Sequence, residues 1–475
     1  MDSFPLVING EPTVTPEFQP VLNPAHKRQP VGHMPVATDE QVLRAIESAT
    51  QALADWRATS PDARAAMIES CADAIEKELQ ELATLLSLEN GKVLVEATSD
   101  VKGSVGLLRS TAALGRSFYE DQAARAEDGL RVHFDPIGVV GVITPWNSPL
   151  IIAIRDMAPA LMAGCPVVIK PSSLAPLSTL RMVELMAGIL PPGVINVLTG
   201  PADRIGNMMM AHPEVKMIAF TGSTDTGEQL LHSAAAHWKT MKMELGGNDP
   251  AIVLDDAVQQ PHLMKRMING IFRCSGQICF AIKRIYVQRR HFESFTDALV
   301  AALDQMIVGD GLDPEVSMGP LISQQQWDKV ATLLRNAESY GAKVRPCGTL
   351  KERPDEGYYM LPHVLTDVSH SSEIVRVEQF GPLIPVIPFD HEDEAIAMAN
   401  DTEYGLRSSI WSADLEKAAN LAGRLQAGVT SINEFHAVRS RYDFKGWRKS
   451  GYGSWSSYGG VEEYLAIHGI AVHEA

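Results

Sequence analysis

Three side chains in this sequence have the types needed to act together on a carbonyl group. Cys279 stands in GQICFAIKR, where Gly276 and Gln277 allow a tight backbone approach. A cysteine is nucleophilic as its thiolate. Taken alone, such a residue also fits a buried core position. Glu244 ends the run MKME and is followed by Leu-Gly-Gly. A carboxylate at the C-terminal end of a parallel strand sits where open α/β sheets place their ligands. Its alternative is a solvated strand end. Asn147, in TPWNSPL, follows an apolar run. Its amide can donate to a developing oxyanion or close an Asx turn. Two further features suit anions. FTGSTDTG (220–227) is a glycine-rich turn ahead of a helical pattern, whose amides could hold a pyrophosphate. Lys170 ends PVVIK, where an ammonium could meet ribose hydroxyls or phosphate, or simply solvent.

These residues need a scaffold, and the pattern of the chain supplies one. The start, LVINGEPTV, reads as a hairpin, with Asn9-Gly10 giving the positive φ of a type I′ turn. Residues 38–126 read as mostly helical, opened by a capping box from Thr38 to Gln41 and stopped by Gly91 after 61–89. Short apolar runs then alternate with helical patterns: 138–144, 166–171, 194–200, 215–222 and 241–247. Continuous Val/Ile runs suit strands buried on both faces. With crossover helices between them they make a doubly wound α/β domain. A second set at 251–256, 284–288, 383–389, 408–412 and 428–433, with helices at 291–307, 323–340 and 413–426, makes a second α/β domain. The terminal run YLAIHGIAV reads as a strand able to pair with another chain.

Composition narrows the class. Lys plus Arg number 41 against 58 Asp plus Glu, a net charge of −17, which speaks against a nucleic-acid partner. Five cysteines, an odd and sparse set without CxxC, point to a reducing compartment and away from a disulfide scaffold or a zinc site. The start lacks a basic region ahead of an apolar run, and no stretch of about 18 apolar residues spans a membrane. The expected location is the cytoplasm.

Taken in order, PWN, KPSS, FTGSTDTG, ELGG, GQxC and EQFGP resemble the aldehyde dehydrogenase superfamily, from about residue 20 to the C-terminus. The resemblance reverses the bland readings of Cys279, Glu244 and Asn147. It implies NAD(P)-dependent oxidation of an aldehyde to a carboxylic acid. Cys279 would attack the carbonyl, and the Asn147 amide with the Cys279 backbone N–H would form the oxyanion hole. The thiohemiacetal would pass hydride to a nicotinamide and leave a thioester, and Glu244 would activate the hydrolytic water. Glu378 would bind the nicotinamide ribose, with Phe380 beside the ring. Lys170, Ser172 and Ser173 would meet the adenosine ribose. Gly222, Ser223 and Gly227 would meet the pyrophosphate, with Thr144, Pro145, Trp146 and Leu245 completing the cofactor site. The fold implied has a Rossmann-type cofactor domain at 1–117 and 137–247 and a catalytic domain at 248–447. A bridging hairpin near 118–136 and the tail 448–475 would serve a homodimer or homotetramer. No metal is expected.

The sequence departs from the family pattern in places. Cys274 stands where many relatives have Asn, Ser148 where many have Phe, and Gly246-Gly247-Asn248 where many have Gly-Gly-Lys. NAD-preferring relatives often carry Glu where this chain has Ser173, so NADP is expected to be tolerated. Arg155, eight residues after Asn147, and Arg273, six before Cys279, stand at the offsets of the carboxylate-binding pair of succinic semialdehyde dehydrogenases. Val438 replaces a hydroxyl that assists there. Ile278 and Phe280 flank the thiol on the substrate side. An acid-bearing aldehyde is therefore placed ahead of a neutral aromatic or medium-chain one. For each arginine the alternative is a protein carboxylate, with Asp156 and Asp249 at hand. A CoA-acylating dehydrogenase is a second reading, opposed by Glu244. A catalytically silent protein of this fold is a third, opposed by the three intact groups.

Overall fold

The computed structural model describes residues 4–124, 130–353, 355–435, 445–455 and 457–471. Val438 and its neighbour Arg439 lie outside the described residues. Strands β1 (Leu6–Ile8) and β2 (Glu11–Thr13) form the expected hairpin, with Asn9 at φ 59° and Gly10 at φ 78°. A second hairpin, β3 (Glu17–Asn23) with β4 (His26–Val36), was not legible in the sequence. Helices α1 (Asp39–Ala58), α2 (Pro61–Lys77), α3 (Leu79–Asn90) and α4 (Leu94–Ala124) follow. Thr38 caps α1 through the reciprocal box with Gln41, and Gly91 ends α3 at φ 88°.

After β5 (Leu130–Pro136) the chain alternates β6 (Val139–Ile143), α5 (Pro149–Ala163), β7 (Val167–Lys170), α6 (Leu177–Ala187) and β8 (Ile195–Val197). It continues with α7 (Ala202–Ala211), β9 (Val215–Thr221), α8 (Thr224–His237) and β10 (Thr240–Glu244). Strands β6 to β10 pair in parallel, as their unbroken apolar runs require, and β1–β2 extend the sheet at one edge. Glu244 is the last residue of β10, and Asn147 lies between β6 and α5.

The second unit comprises β11 (Asp249–Val253), α9 (Leu263–Phe272), β12 (Ile282–Gln288), α10 (Phe292–Leu303), the short β13 (Ile307–Val308) and α11 (Gln324–Ser339). Then come β14 (Lys343–Pro346), β15 (Thr349–Leu350), β16 (His363–Thr366), α12 (Glu373–Arg376), β17 (Leu383–Phe389) and α13 (Glu392–Asn400). The unit closes with β18 (Arg407–Trp411), α14 (Leu415–Ala422) and β19 (Val429–Ile432). Its sheet runs β14-β16-β17-β12-β11-β18-β19, parallel except at β14. The loop carrying Cys279 enters β12.

Two boundaries differ from the sequence reading. The bridging element expected from residue 118 begins as helix, because α4 runs on to Ala124. Phe118 is buried there and packs edge-on against Phe134 of β5, 5.4 Å between centroids, so the helix still has an apolar partner at that point. The tail is not wholly a bridging element either. Strand β20 (Gly451–Tyr452) pairs antiparallel with β10, the strand that ends in Glu244. Helix α15 (Ser457–Glu462) follows, and β21 (Leu465–Ala471) then pairs antiparallel with β5.

Candidate active site

Cys279 sits where the two units meet. Its loop begins with a left-handed run, Cys274 at φ 51°, Ser275 at φ 58° and Gly276 at φ 74°. The run is held on every side. The Cys274 N–H donates to Glu96 (3.0 Å), the Ser275 hydroxyl to the Gly319 carbonyl (2.8 Å), and Gln277 receives the Ile322 N–H (3.0 Å). Asn147 ties into the same loop by donating from Nδ2 to the Gln277 carbonyl (2.9 Å), while the Lys92 ammonium donates to its backbone carbonyl (2.7 Å). A primary amide carries two hydrogens, so one remains to donate.

Burial pushes the Cys279 thiol well above its ordinary range, the Glu244 carboxylate pushes it further, and the Arg155 guanidinium opposes both. Glu244 is fully buried. Its Oε2 accepts from Arg155 (3.2 Å), and its Oε1 has no hydrogen-bond partner among the described residues. A buried carboxylate oxygen without a donor is costly, so this one is open to the Cys279 thiol beside it or to an incoming water.

Two cavities share Cys279 and Asn147 as walls. The smaller, about 160 Å³, is lined by Pro145, Trp146, Gly222, Ser223, Leu245, Glu378 and Phe380 together with Glu244. Trp146 and Phe380 meet edge-on at 5.5 Å. Glu378 accepts the Gly247 N–H (3.1 Å), and its carboxyl is held above the usual range by burial, against the pull of Lys283. A side chain at Gly246 would collide with Glu378 at 2.8 Å, and one at Gly222 with the Phe220 ring at 2.4 Å. These close approaches leave no room for a side chain at either glycine. Thr221, Gln326 and Lys329 also line the cavity and escaped the sequence reading; no motif marked them.

The remaining cofactor candidates lie further along the same sheet edge. Lys170 ends β7, and burial pulls its ammonium down to about 8. The Thr144 hydroxyl is buried without a partner among the described residues. Ser223 caps α8 by accepting the Thr226 N–H (3.2 Å), leaving the helix N-terminus aimed at the crevice. Gly227 lies against Leu245, where a side chain would meet it at 2.7 Å. Ser172 and Ser173 turn their hydroxyls to local backbone: Ser172 accepts from Leu174 (3.3 Å) and Ser173 donates to Gly200 (3.0 Å).

The larger cavity, about 470 Å³, is lined by Arg155, Arg273, Ile278 and Phe280, with Ile151, Leu107, Trp455 and Arg407. Both sequence-derived arginines therefore reach the chamber, but each already holds a protein carboxylate. Arg155 is bound to Glu244, and Arg273 to Asp100 (2.9 Å), rather than to Asp156 and Asp249. Which carboxylate meets which guanidinium depends on how α4, α5 and β10 cross, and sequence proximity carried no signal for it. Trp455 also went unread, in a tail assigned to assembly. Cys274 is a free thiol raised to about 12, chiefly by burial.

The chain is similar to known proteins over nearly its whole length. The profile of the aldehyde dehydrogenase family matches residues 13–470. The chain belongs to that family. Among its relatives is succinate-semialdehyde dehydrogenase [NADP(+)] of Escherichia coli, 36% identical with 97% of this chain and 96% of that protein covered. Aminoaldehyde dehydrogenase 2 of Solanum lycopersicum is 35% identical over 94% of this chain and 90% of its own length. The crystal structure of betaine aldehyde dehydrogenase from Staphylococcus aureus in complex with NAD+ superimposes with a TM-score of 0.91 at 32% identity, covering 98% of this chain and 94% of that one. This aldehyde dehydrogenase is thus an NAD(P)-dependent oxidoreductase acting on aldehydes. Among its described residues no helix is long and apolar enough to cross a membrane, and no cluster of three or more His, Cys, Asp or Glu could hold a metal ion.

Proposed function

We propose that Cys279 is the nucleophile of this dehydrogenase, Asn147 and the Cys279 backbone N–H its oxyanion donors, and Glu244 the base that hydrolyses the thioester. The observation carrying this reading is that two cavities, about 470 and 160 Å³, share Cys279 and Asn147 as walls, with Glu244 on the smaller. An aldehyde in the larger cavity presents its carbonyl to the thiol. The sulfur adds as the thiolate, its proton having first been lost to solvent, and the Asn147 amide stabilises the charge growing on oxygen. The smaller cavity would hold a nicotinamide, which would supply the hydride acceptor for the adduct. Glu378 and Phe380 would hold its ribose and ring, and Lys170, Ser172 and Ser173 would face its adenosine ribose. Glu244 then takes a proton from water as that water adds to the thioester. The carbon–sulfur bond breaks and Cys279 leaves as thiolate. A base in place for this step favours hydrolysis over transfer to CoA.

For the substrate, the reading best supported is an uncharged apolar aldehyde, aromatic or of medium chain. The chamber walls include Leu107, Ile151, Ile278, Phe280 and Trp455, and the two candidate clamp arginines are already paired. An acid-bearing aldehyde is the second reading, because the walls carry Arg155, Arg273 and Arg407 against the single acid Asp100. The same excess disfavours cationic aldehydes of the betaine or amino type. Free thiols at all five cysteines support a reducing compartment such as the cytoplasm.

The test is a rate screen by nicotinamide absorbance over neutral, acidic and cationic aldehydes with NAD and NADP in parallel. Measurable turnover with NADP is expected, since no carboxylate stands at Ser173. Cys279→Ala is expected to abolish turnover while keeping cofactor binding, and Glu244→Gln to release about one equivalent of reduced cofactor and then stall. Wild-type rates in the Cys279 variant would overturn the mechanism. A cationic aldehyde as the best substrate would overturn the assignment of the chamber.

A further inference from the structure

The chain holds Glu244 by a closed ring of buried groups and the half-buried Arg155, which begins and ends in β10. The Arg155 guanidinium donates to Glu244 Oε2 (3.2 Å) and to the Thr221 hydroxyl at the end of β9 (3.0 Å). It stacks on the Trp455 ring, 5.3 Å to the centroid. The Trp455 indole N–H donates to Asp156 (3.0 Å), the residue after Arg155. Asp156 pairs with Lys242 (3.5 Å), two residues before Glu244 on the same strand, so both side chains leave the same face of the sheet. Lys242 is itself boxed by the Trp455 and Tyr464 rings at 5.3 and 4.7 Å. Lys242, Glu244 and Asp156 are all buried. A buried carboxylate left without a partner is costly, so this pairing is strongly preferred by the fold.

We propose that Arg155 is a positioning residue for thioester hydrolysis: by fixing Oε2 it leaves Oε1 of Glu244 as the one oxygen free to take a proton from water. The inference rests on Glu244 being the base. It changes the meaning of Arg155, which the sequence offered as half of a clamp for a substrate carboxylate. A guanidinium committed to the base on one side and to Trp455 on another has a task with every aldehyde, charged or neutral. The ring also gives the C-terminal segment a part in the chemistry, because Trp455 follows β20 directly and is the only described side chain that both stacks on Arg155 and bonds Asp156.

The experiment compares Arg155→Met and Arg155→Lys with wild type, using full-length enzyme and a neutral aldehyde. Reduced cofactor is followed in the first turnover, and the mass of acid-quenched enzyme reports the acyl group on Cys279. In the methionine variant the amplitude of the first-turnover burst is expected to persist at about one equivalent, though the burst forms more slowly because Arg155 no longer opposes the raised thiol. The steady-state rate is expected to fall about 10- to 100-fold, and the quenched protein to carry the acyl group. Lysine, which keeps the charge but not the fork, is expected to recover part of the rate. A merely structural loss would lower burst amplitude and steady state together, and that result overturns the proposal. So does an unchanged steady-state rate with the neutral aldehyde combined with a raised KM for a carboxylate-bearing one, the signature of a substrate clamp. Should the methionine variant not fold, Thr221→Val removes one of the two hydrogen bonds holding the guanidinium. It is expected to lower the steady-state rate with the burst retained, and an unchanged rate there overturns the proposal. A wild type that never acylates overturns the proposed function first, and this inference with it.

Discussion

At the scale of single residues, the chemistry of Cys279 is set by its two charged neighbours. Burial raises the thiol, Glu244 adds to that, and Arg155 works against it. In the resting enzyme near neutral pH the thiolate is therefore the minor form. The rate of alkylation by iodoacetamide is expected to rise with pH from 6 through 9. Glu244→Gln removes one of the raising influences, so at pH 7 its alkylation is expected to be faster than wild type. Arg155→Met removes the lowering one and is expected to be slower. Alkylation traced by mass spectrometry checks both, and equal rates in all three proteins would mean that these charges do not govern the thiol. Cys279, Glu244 and Asn147, to which we assign the roles of nucleophile, base and oxyanion donor, were marked in the sequence by the ordered family motifs and not by residue type alone. Their partners were not. Many side chains could hold Glu244, and the choice of Arg155 follows from the crossing of α5 and β10.

At the scale of elements, the parallel strands were legible because burial on both faces leaves an unbroken apolar run, as in Val167–Lys170 and Val139–Ile143. The β3–β4 hairpin was not, because most of β3 is exposed and the prolines and charges spread over the two strands mask any alternation. The loop before Cys279 was half legible. Its unusual Cys274 was noted, but its left-handed backbone could not be read from type. Asn adopts that conformation more readily than Cys does. Cys274→Asn is expected to keep activity and to leave thermal stability unchanged or raised. Gly276→Ala meets both a φ of 74° and the Gly381 carbonyl, 2.4 Å from the added carbon. It is expected to cost about 1–3 kcal/mol of stability and to lower the rate of acylation, because Cys279 follows three residues on. Thermal denaturation and first-turnover kinetics measure the two effects separately. An alanine variant as stable and as fast as wild type would show that this turn does not position the thiol.

At the scale of the whole molecule, one segment is unfinished in a single chain. Strand β21 pairs only with β5 among the described residues, and six of its seven positions are exposed. The apolar side chains Val132, Ile467 and Ile470 stand among the exposed large hydrophobics. A two-stranded ribbon is marginal by itself, and open strand edges invite pairing with another chain. The tail that bears this ribbon is the one that supplies β20 to the strand of Glu244 and Trp455 to the ring around Arg155. A second chain laid on the ribbon would therefore steady the route from β20 to β21 as well as cover apolar surface. The enzyme is expected to be a dimer or tetramer by light scattering. A chain ending at Glu463 is expected to shift toward monomer, with a lower melting temperature and a slower steady-state rate. Ile467→Lys, which keeps the ribbon but charges its exposed face, is expected to weaken assembly with less effect on a dilute subunit's fold. A monomeric wild type, or a truncated chain that assembles as before, would remove the ribbon from the interface.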